Sequence, residues 1–304
     1  MLLRTPRHAL LLVSVLAALA YGCTTRTIPP GDATVPGDGG DAGMPDAFVP
    51  MPDTGPEIDG GPRLDDVLIY AHSRNTLFTF SPFTNMVNEV GPFDDGTEES
   101  QPEMLDLAVD ADGVVFTCSF DSLFRVDPET AAITKIGDFE IGDESLFALS
   151  FLHESESPDS TQMLIGATNA GAYYQIDRDN AATEFLGQYP EGYASSGDIV
   201  SVEGLGTYAT LRQDGVAADV LARITFSSDG SSSVRVIGEI REGTTDFTQI
   251  FGLGYWGRNV YGFTNTGQLI RIDRTTGAAT TASAATGTDQ FWGAGVTTQA
   301  PFLI

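Results

Sequence analysis

Lysine is nearly absent from this chain. Lys135 is the only one among 15 basic residues, which face 42 acidic ones in 304 positions and leave a formal net charge of −27. A nucleic-acid reader needs a basic footprint against the phosphates, so the deficit excludes general binding to DNA or RNA backbones. Cysteine occurs twice, as Cys23 and Cys118, with no CxxC or Cys/His metal spacing, which excludes a multi-disulfide scaffold and a zinc ribbon. Beyond the first 22 residues the only histidines are His72 and His153, and no nucleophile is marked beside either. There is no Gly-x-Ser-x-Gly elbow, and Gly252-Leu253-Gly254 lacks the third glycine and the following helix of a dinucleotide fingerprint. What is present is 41% hydrophobic and 10% aromatic residues, enough to build a packed core.

The N-terminus reads as an export signal over residues 1–22. Arg4, Arg7 and His8 precede an apolar stretch at 9–20, too short for the ~20 residues a membrane-spanning helix needs. Ala18-Leu19-Ala20 is one candidate cleavage site, releasing a soluble chain. Ala20-Tyr21-Gly22-Cys23 is the other, and it resembles a bacterial lipobox despite bulky Tyr21 and the early Leu19. The lipobox implies lipid attachment at Cys23, with Thr24 after it favouring the outer membrane or cell surface; a periplasmic or secreted protein is the alternative. With Cys23 acylated, Cys118 is expected as a small core residue; without lipidation, a Cys23–Cys118 disulfide is the alternative. Residues 24–63 hold eight prolines, eight glycines and seven acids in 40 positions. Proline removes donors, glycine raises the ordering entropy and like charges repel, so 23–63 is expected to be a disordered tether.

The remaining chain, 64–304, repeats itself. Leu77-Phe78-Thr79-Phe80, Leu123-Phe124-Arg125-Val126, Tyr173-Tyr174-Gln175-Ile176, Leu221-Ala222-Arg223-Ile224 and Leu269-Ile270-Arg271-Ile272 recur at spacings of 46, 50, 48 and 48. Gly91, Gly137 and Gly187 follow the first three anchors by eleven residues, and Gly238 follows the fourth by 14. Alternating apolar and polar residues mark strands, and Pro128-Glu129-Thr130 and Arg274-Thr275-Thr276-Gly277 supply turns. A strand precedes each anchor run, at 67–72, 114–119, 163–168, 207–212 and 260–264. A fourth run, at 105–109, 147–151, 200–204, 252–256 and 293–297, is rich in small residues, as strands crowded about an axis require. Four strands per repeat predict an all-β, five-bladed β-propeller of four-stranded blades. The first repeat lacks its inner strand and the chain ends with a spare one at 291–297, so the C-terminal strand is expected to complete the first blade. An open β-solenoid of the same period is the alternative.

The Leu-Phe-x-Val-Asp-Pro-x-Thr…Ile-Gly pattern at 123–137 resembles repeats of bacterial extracytoplasmic propellers of the quinoprotein-like and YVTN types, and the tether resembles those of uncharacterised myxobacterial lipoproteins. The resemblance implies a fold and an envelope location, and it is silent on activity. It also implies that the loops leading into the inner strands share one channel mouth. Each carries an acid: Glu103, Glu144, Asp198, Asp246 and Asp289. Clustered carboxylates repel, and a hard cation such as one calcium ion would relieve them. Asp106 and Glu203 interrupt inner strands where other repeats have small residues, and a buried carboxylate must be paired, protonated or metal-bound; pairing with an arginine or exposure to channel water is the ordinary expectation. Asp110-Ala111-Asp112-Gly113 reads as a turn, since it lacks the remaining spacing of a calcium loop. His153 is expected in a solvated loop, and Trp256 and Trp292 in core packing. The sequence thus predicts a monomeric binding or interaction module at the cell envelope, contacting a protein or glycan. A metal-dependent, lactonase-like or glycan-cleaving hydrolase is the alternative, and a quinone dehydrogenase is disfavoured by the small domain.

Overall fold

A computed structural model describes residues 67–302 apart from 143, 230, 284 and 285. The leader, Cys23 and the tether lie outside the described residues.

The strands form five four-stranded antiparallel sheets arranged as a five-bladed β-propeller. Blade 1 opens with β1 (Ile69–His72), β2 (Thr76–Ser81) and β3 (Met86–Pro92). Blade 2 is β4 (Asp106–Val109), β5 (Val115–Cys118), β6 (Ser122–Val126) and β7 (Ile133–Asp138). Blade 3 is β8 (Leu146–Leu152), β9 (Met163–Thr168), β10 (Ala172–Ile176) and β11 (Thr183–Gln188). Blade 4 is β12 (Tyr193–Val202), β13 (Gly206–Gln213), β14 (Val220–Phe226) and β15 (Ser232–Glu239). A small hairpin, β16 (Arg241–Glu242) and β17 (Thr245–Asp246), leads into blade 5, which is β18 (Ile250–Trp256), β19 (Asn259–Thr264), β20 (Leu269–Asp273) and β21 (Ala279–Ser283). The last strand, β22 (Gly293–Gly295), pairs antiparallel with β1 through His72↔Gly293 and Tyr70↔Gly295. Blade 1 is therefore completed by the C-terminal strand, which closes the ring.

Burial follows strand order. The inner strands and their neighbours are buried on both faces, as in β9 and β22, whereas the outermost strands β3, β7 and β15 are almost throughout exposed or half-buried. Aromatic pairs stitch blade to blade. Phe80 of blade 1 meets Tyr261 of blade 5 with centroids 5.2 Å apart, Phe116 of blade 2 meets Phe151 of blade 3 at 5.4 Å, and Tyr173 of blade 3 meets Phe226 of blade 4 at 4.9 Å. These are the tilted and edge-to-face contacts that aromatic quadrupoles favour.

The repeated glycine has a structural cause. The two outer strands of every blade slip register at one place, between Leu77 and Phe78, Leu123 and Phe124, Tyr173 and Tyr174, Leu221 and Ala222, and Leu269 and Ile270. In the first four blades the glycine stands at that bulge. Gly137 and Gly238 sit so close to the backbone carbonyls of Asn180 and Thr276 in the following blade that a Cβ would overlap them. The loop that presses there is held by an aspartate: Asp177 accepts the Asp179 N–H at 2.8 Å, and Asp273 accepts the N–H groups of Thr275 and Thr276 at 2.8 and 2.9 Å. Asp127 makes the same turn with Glu129 and Thr130, which is the local competition with the backbone that suits Asp to turns.

Candidate functional site at the channel mouth

The starts of all five inner strands stand around a cavity of about 460 Å³: Trp292, Leu105, Phe147 and Phe251 from blades 1, 2, 3 and 5, and Ser195, Ser196 and Gly197 from blade 4. The wall is mostly apolar and aromatic, with Phe251 and Trp292 6.1 Å apart between ring centroids. Blade 4 supplies its polar part through Ser196, Arg212 and Asp219, next to Asn169 from blade 3 and Thr248 and Gln249 from blade 5. Such a volume, lined by apolar side chains and a few directed polar groups, is what small-molecule sites present, at roughly 300–1,000 Å³.

The polar wall is pre-arranged. Arg212 donates from Nε to the Ser195 carbonyl at 3.2 Å and from Nη2 to the Asn169 carbonyl at 2.9 Å. Asp219 is buried and accepts the Ile250 N–H at 3.3 Å, with Ser196 as a further donor; burial holds its carboxyl above the usual range despite these bonds and the attraction of Arg212. Gly197 has no space for a side chain, since a Cβ there would run into the Ile250 carbonyl of blade 5.

One residue inward from Leu105 and Gly197 stand Asp106 and Asp198, both fully buried. Asp106 accepts the Leu107 N–H at 2.8 Å and the Leu149 N–H of blade 3 at 2.6 Å. Asp198 accepts the Ile199 N–H and the Leu253 N–H of blade 5, both at 2.5 Å. The two carboxyls also lie within hydrogen-bonding reach of each other. Burial, joined at Asp106 by the charge of Asp198, raises both well above the ordinary carboxylate value. The accepted N–H bonds, with a proton held on one carboxyl, would satisfy the pair without a counter-cation. His72 abuts it: a Cβ on Gly293 would overlap both Asp106 Oδ1 and His72 Nε2. Its Nδ1 contacts the Ser73 carbonyl at 2.6 Å while Nε2 has no partner among the described residues, and burial pushes its pKa down to about 4. Cys118 is a fully buried thiol in the same layer, pushed up by burial and then by the charge of Asp106.

These placements revise several sequence expectations. Asp198 belongs to β12, not to a loop before it, because a bulge between Ser195 and Ile199 lengthens that strand backwards. Asp106 pairs with backbone N–H groups and another carboxyl, rather than with an arginine. Glu203 lies beyond the end of β12, in its turn to β13, exposed and 3.6 Å from His153 Nε2. His153 is buried, with Nδ1 2.9 Å from Ser155 Oγ and its backbone N–H donating to Ser201 Oγ at 3.1 Å. Asp110, as expected, sits in a turn, accepting the N–H groups of Asp112 and Val114, and it meets Arg178 at 3.0 Å. Trp292 packs against the core, as expected, and also lines the cavity.

The other rim acids are exposed and dispersed. Glu103 meets Arg74 at 2.8 Å, Glu144 accepts the Tyr174 hydroxyl at 2.7 Å, and Asp246 meets Arg241 at 2.7 Å; Asp289 is exposed. Among the described residues no group of three His, Cys, Asp or Glu side chains is placed to hold a metal ion. Arg74 also lies over the Trp292 ring, 4.2 Å from its centroid, a cation–π contact that braces the rim.

Sequence reading missed Phe147, Phe251 and Arg212. A signal existed in the bulky–small pairs Phe147-Ala148, Phe251-Gly252 and Trp292-Gly293 at the start of three inner strands. The small member fits the crowded axis and the bulky one faces the mouth.

No protein-family model and no curated protein matches the sequence. Solved structures similar to it include a protein of unknown function from Bacteroides thetaiotaomicron, at 14% identity over 71% of this chain and 57% of that one, with a TM-score of 0.44. Virginiamycin B lyase from Staphylococcus aureus is similar at 14% identity over 69% of this chain and 63% of that one, TM-score 0.38. BamB from Moraxella catarrhalis is similar at 14% identity over 69% and 70%, TM-score 0.35. The chain spans less than two thirds of the first two. Likeness at this level is one of fold and says nothing of ligand or activity.

Proposed function

We propose that this protein is a binding module of the cell envelope, lipid-anchored at Cys23, whose propeller takes a small molecule in the cavity at the channel mouth. The observation that carries the reading is the cavity itself: about 460 Å³, walled by all five blades, aromatic on one side and hydrogen-bonding on the other. A rigid ring is suited to such a task, because the wall is set by strand ends and the short connections beside them, and little ordering is left for the moment of binding. The export signal and the tether support the location, since a Pro/Gly-rich linker of about 40 residues holds a domain roughly 35 Å from its anchor. Small-molecule binding replaces the expected protein or glycan contact, because the enclosed concavity suits a compact ligand better than an extended chain.

Ala217 is exposed on the cavity lining, so Ala217→Trp fills the cavity without disturbing the core. In a thermal-shift screen of small aromatic and polar compounds, those that stabilise the wild-type chain are expected to leave Ala217→Trp unshifted. Equal shifts in both proteins would contradict the site. The anchor is tested separately: Cys23→Ser is expected to move the protein from the membrane fraction to the soluble one, and unchanged membrane partition would rule out lipidation at Cys23 as the anchor.

A further inference from the structure

Arg212 is the one arginine among the residues that line the cavity. Arg74, Arg178, Arg223 and Arg241 all make ion pairs with acids. Arg212 makes none among the described residues. Its guanidinium is held instead by two backbone carbonyls, through Nε and Nη2, which fixes its plane without neutralising its charge. A guanidinium carries five N–H donors, so the remaining ones have no protein acceptor among the described residues while the side chain lines the cavity. Asp219 attracts Arg212 through its charge, but no hydrogen bond or ion pair joins the two among the described residues, and its carboxyl accepts from Ile250, Ser196 and Gln249 instead. The other walls are the rings of Phe147, Phe251 and Trp292.

A planar fork of donors matches a carboxylate in geometry as well as charge, and flat aromatic walls match a flat ring. We propose that the cavity selects planar aromatic carboxylates, with the ring against Phe251 and Trp292 and the carboxylate on Arg212. This rests on the reading of the cavity as a ligand site and adds the chemical class. The abundant acids elsewhere sharpen the choice. They repel anions over most of the surface, so an anion gains here only where a directed cation and an apolar wall coincide.

The test compares two ligands with one ring system, 2-naphthoate and 2-naphthalenemethanol, titrated calorimetrically into the full chain. The carboxylate is expected to bind about 10- to 100-fold more tightly, the range for a charge-assisted hydrogen-bonded contact. Arg212→Gln is expected to bring naphthoate down to the level of the alcohol and to leave the alcohol within about threefold of its wild-type affinity. Equal binding of the two ligands by the wild-type chain would overturn the anion selection while leaving the cavity as a ligand site. Binding of neither would overturn both. The wild-type comparison does not depend on the folding of any variant.

Discussion

Asp106 and Asp198 give the channel floor a pH dependence with a definite sign. Both carboxyls hold their proton more tightly in the fold than in the unfolded chain, where an aspartate titrates near 3.9. Their contribution is therefore fully present below about pH 4 and is lost as pH rises through the raised folded value. His72 acts on the other limb. Its folded pKa is lowered to about 4, so its contribution is present above about 6.5 and is lost as pH falls from there towards 4. Urea unfolding of the wild-type chain between pH 4 and 9 should show both limbs. Asp106→Asn is expected to flatten the alkaline limb by leaving one carboxyl beside a neutral amide, at a uniform cost of about 1–3 kcal/mol for the backbone N–H it deprives of an acceptor. An alkaline slope identical to wild type would show that the pair does not share a proton. Little of this is legible in the sequence. Asp106 stands out there as a misfit among small residues, but Asp198 looks like one loop acid among five, because a bulge cannot be read from spacing. Glu203 misleads for the converse reason: the strand ends at Val202, just short of it.

Strand pattern and hairpin chemistry are far more legible, since both depend on neighbours in sequence. The anchor runs, the strands before them and the Asp-led turns follow from alternation and turn residues within a dozen positions. The recurrence of Gly137 and Gly238 after their anchors is visible too, but its cause is a contact with the next blade, which local pattern does not contain. That contact makes a prediction about packing. Gly238→Ala places a methyl group against the Thr276 carbonyl and Gly137→Ala places one against the Asn180 carbonyl. Each is expected to lower unfolding stability by about 1–3 kcal/mol, the usual range for overpacking a site that cannot yield. Chemical denaturation measures it. A change within about 0.5 kcal/mol, the scatter of innocuous surface substitutions, would mean that the blades are more loosely spaced than these contacts require. His153 shows the limit of local reading from another side: a polar insertion looks solvated, yet it folds over the imidazole and buries it.

Ring closure explains why one molecule has both a sealed floor and an accessible mouth. The last strand joins the first blade, the small residues Gly293, Ala148 and Gly252 let the inner strands converge, and the larger residues just before them stand around the cavity. The number of blades and the closing strand can be counted from the repeats. The cavity cannot, because its wall joins residues from blades up to 187 positions apart in sequence, from Leu105 to Trp292. Whether that cavity is the functional site is tested most directly by the two indole N–H signals of the 15N-labelled chain, from Trp256 at the far end of β18 and Trp292 at the mouth. Saturation with 2-naphthoate is predicted to shift the Trp292 signal, which assignment by Trp256→Phe isolates, and to leave Trp256 in place. A shift confined to Trp256, or binding that moves neither signal, would contradict a ligand site at the channel mouth.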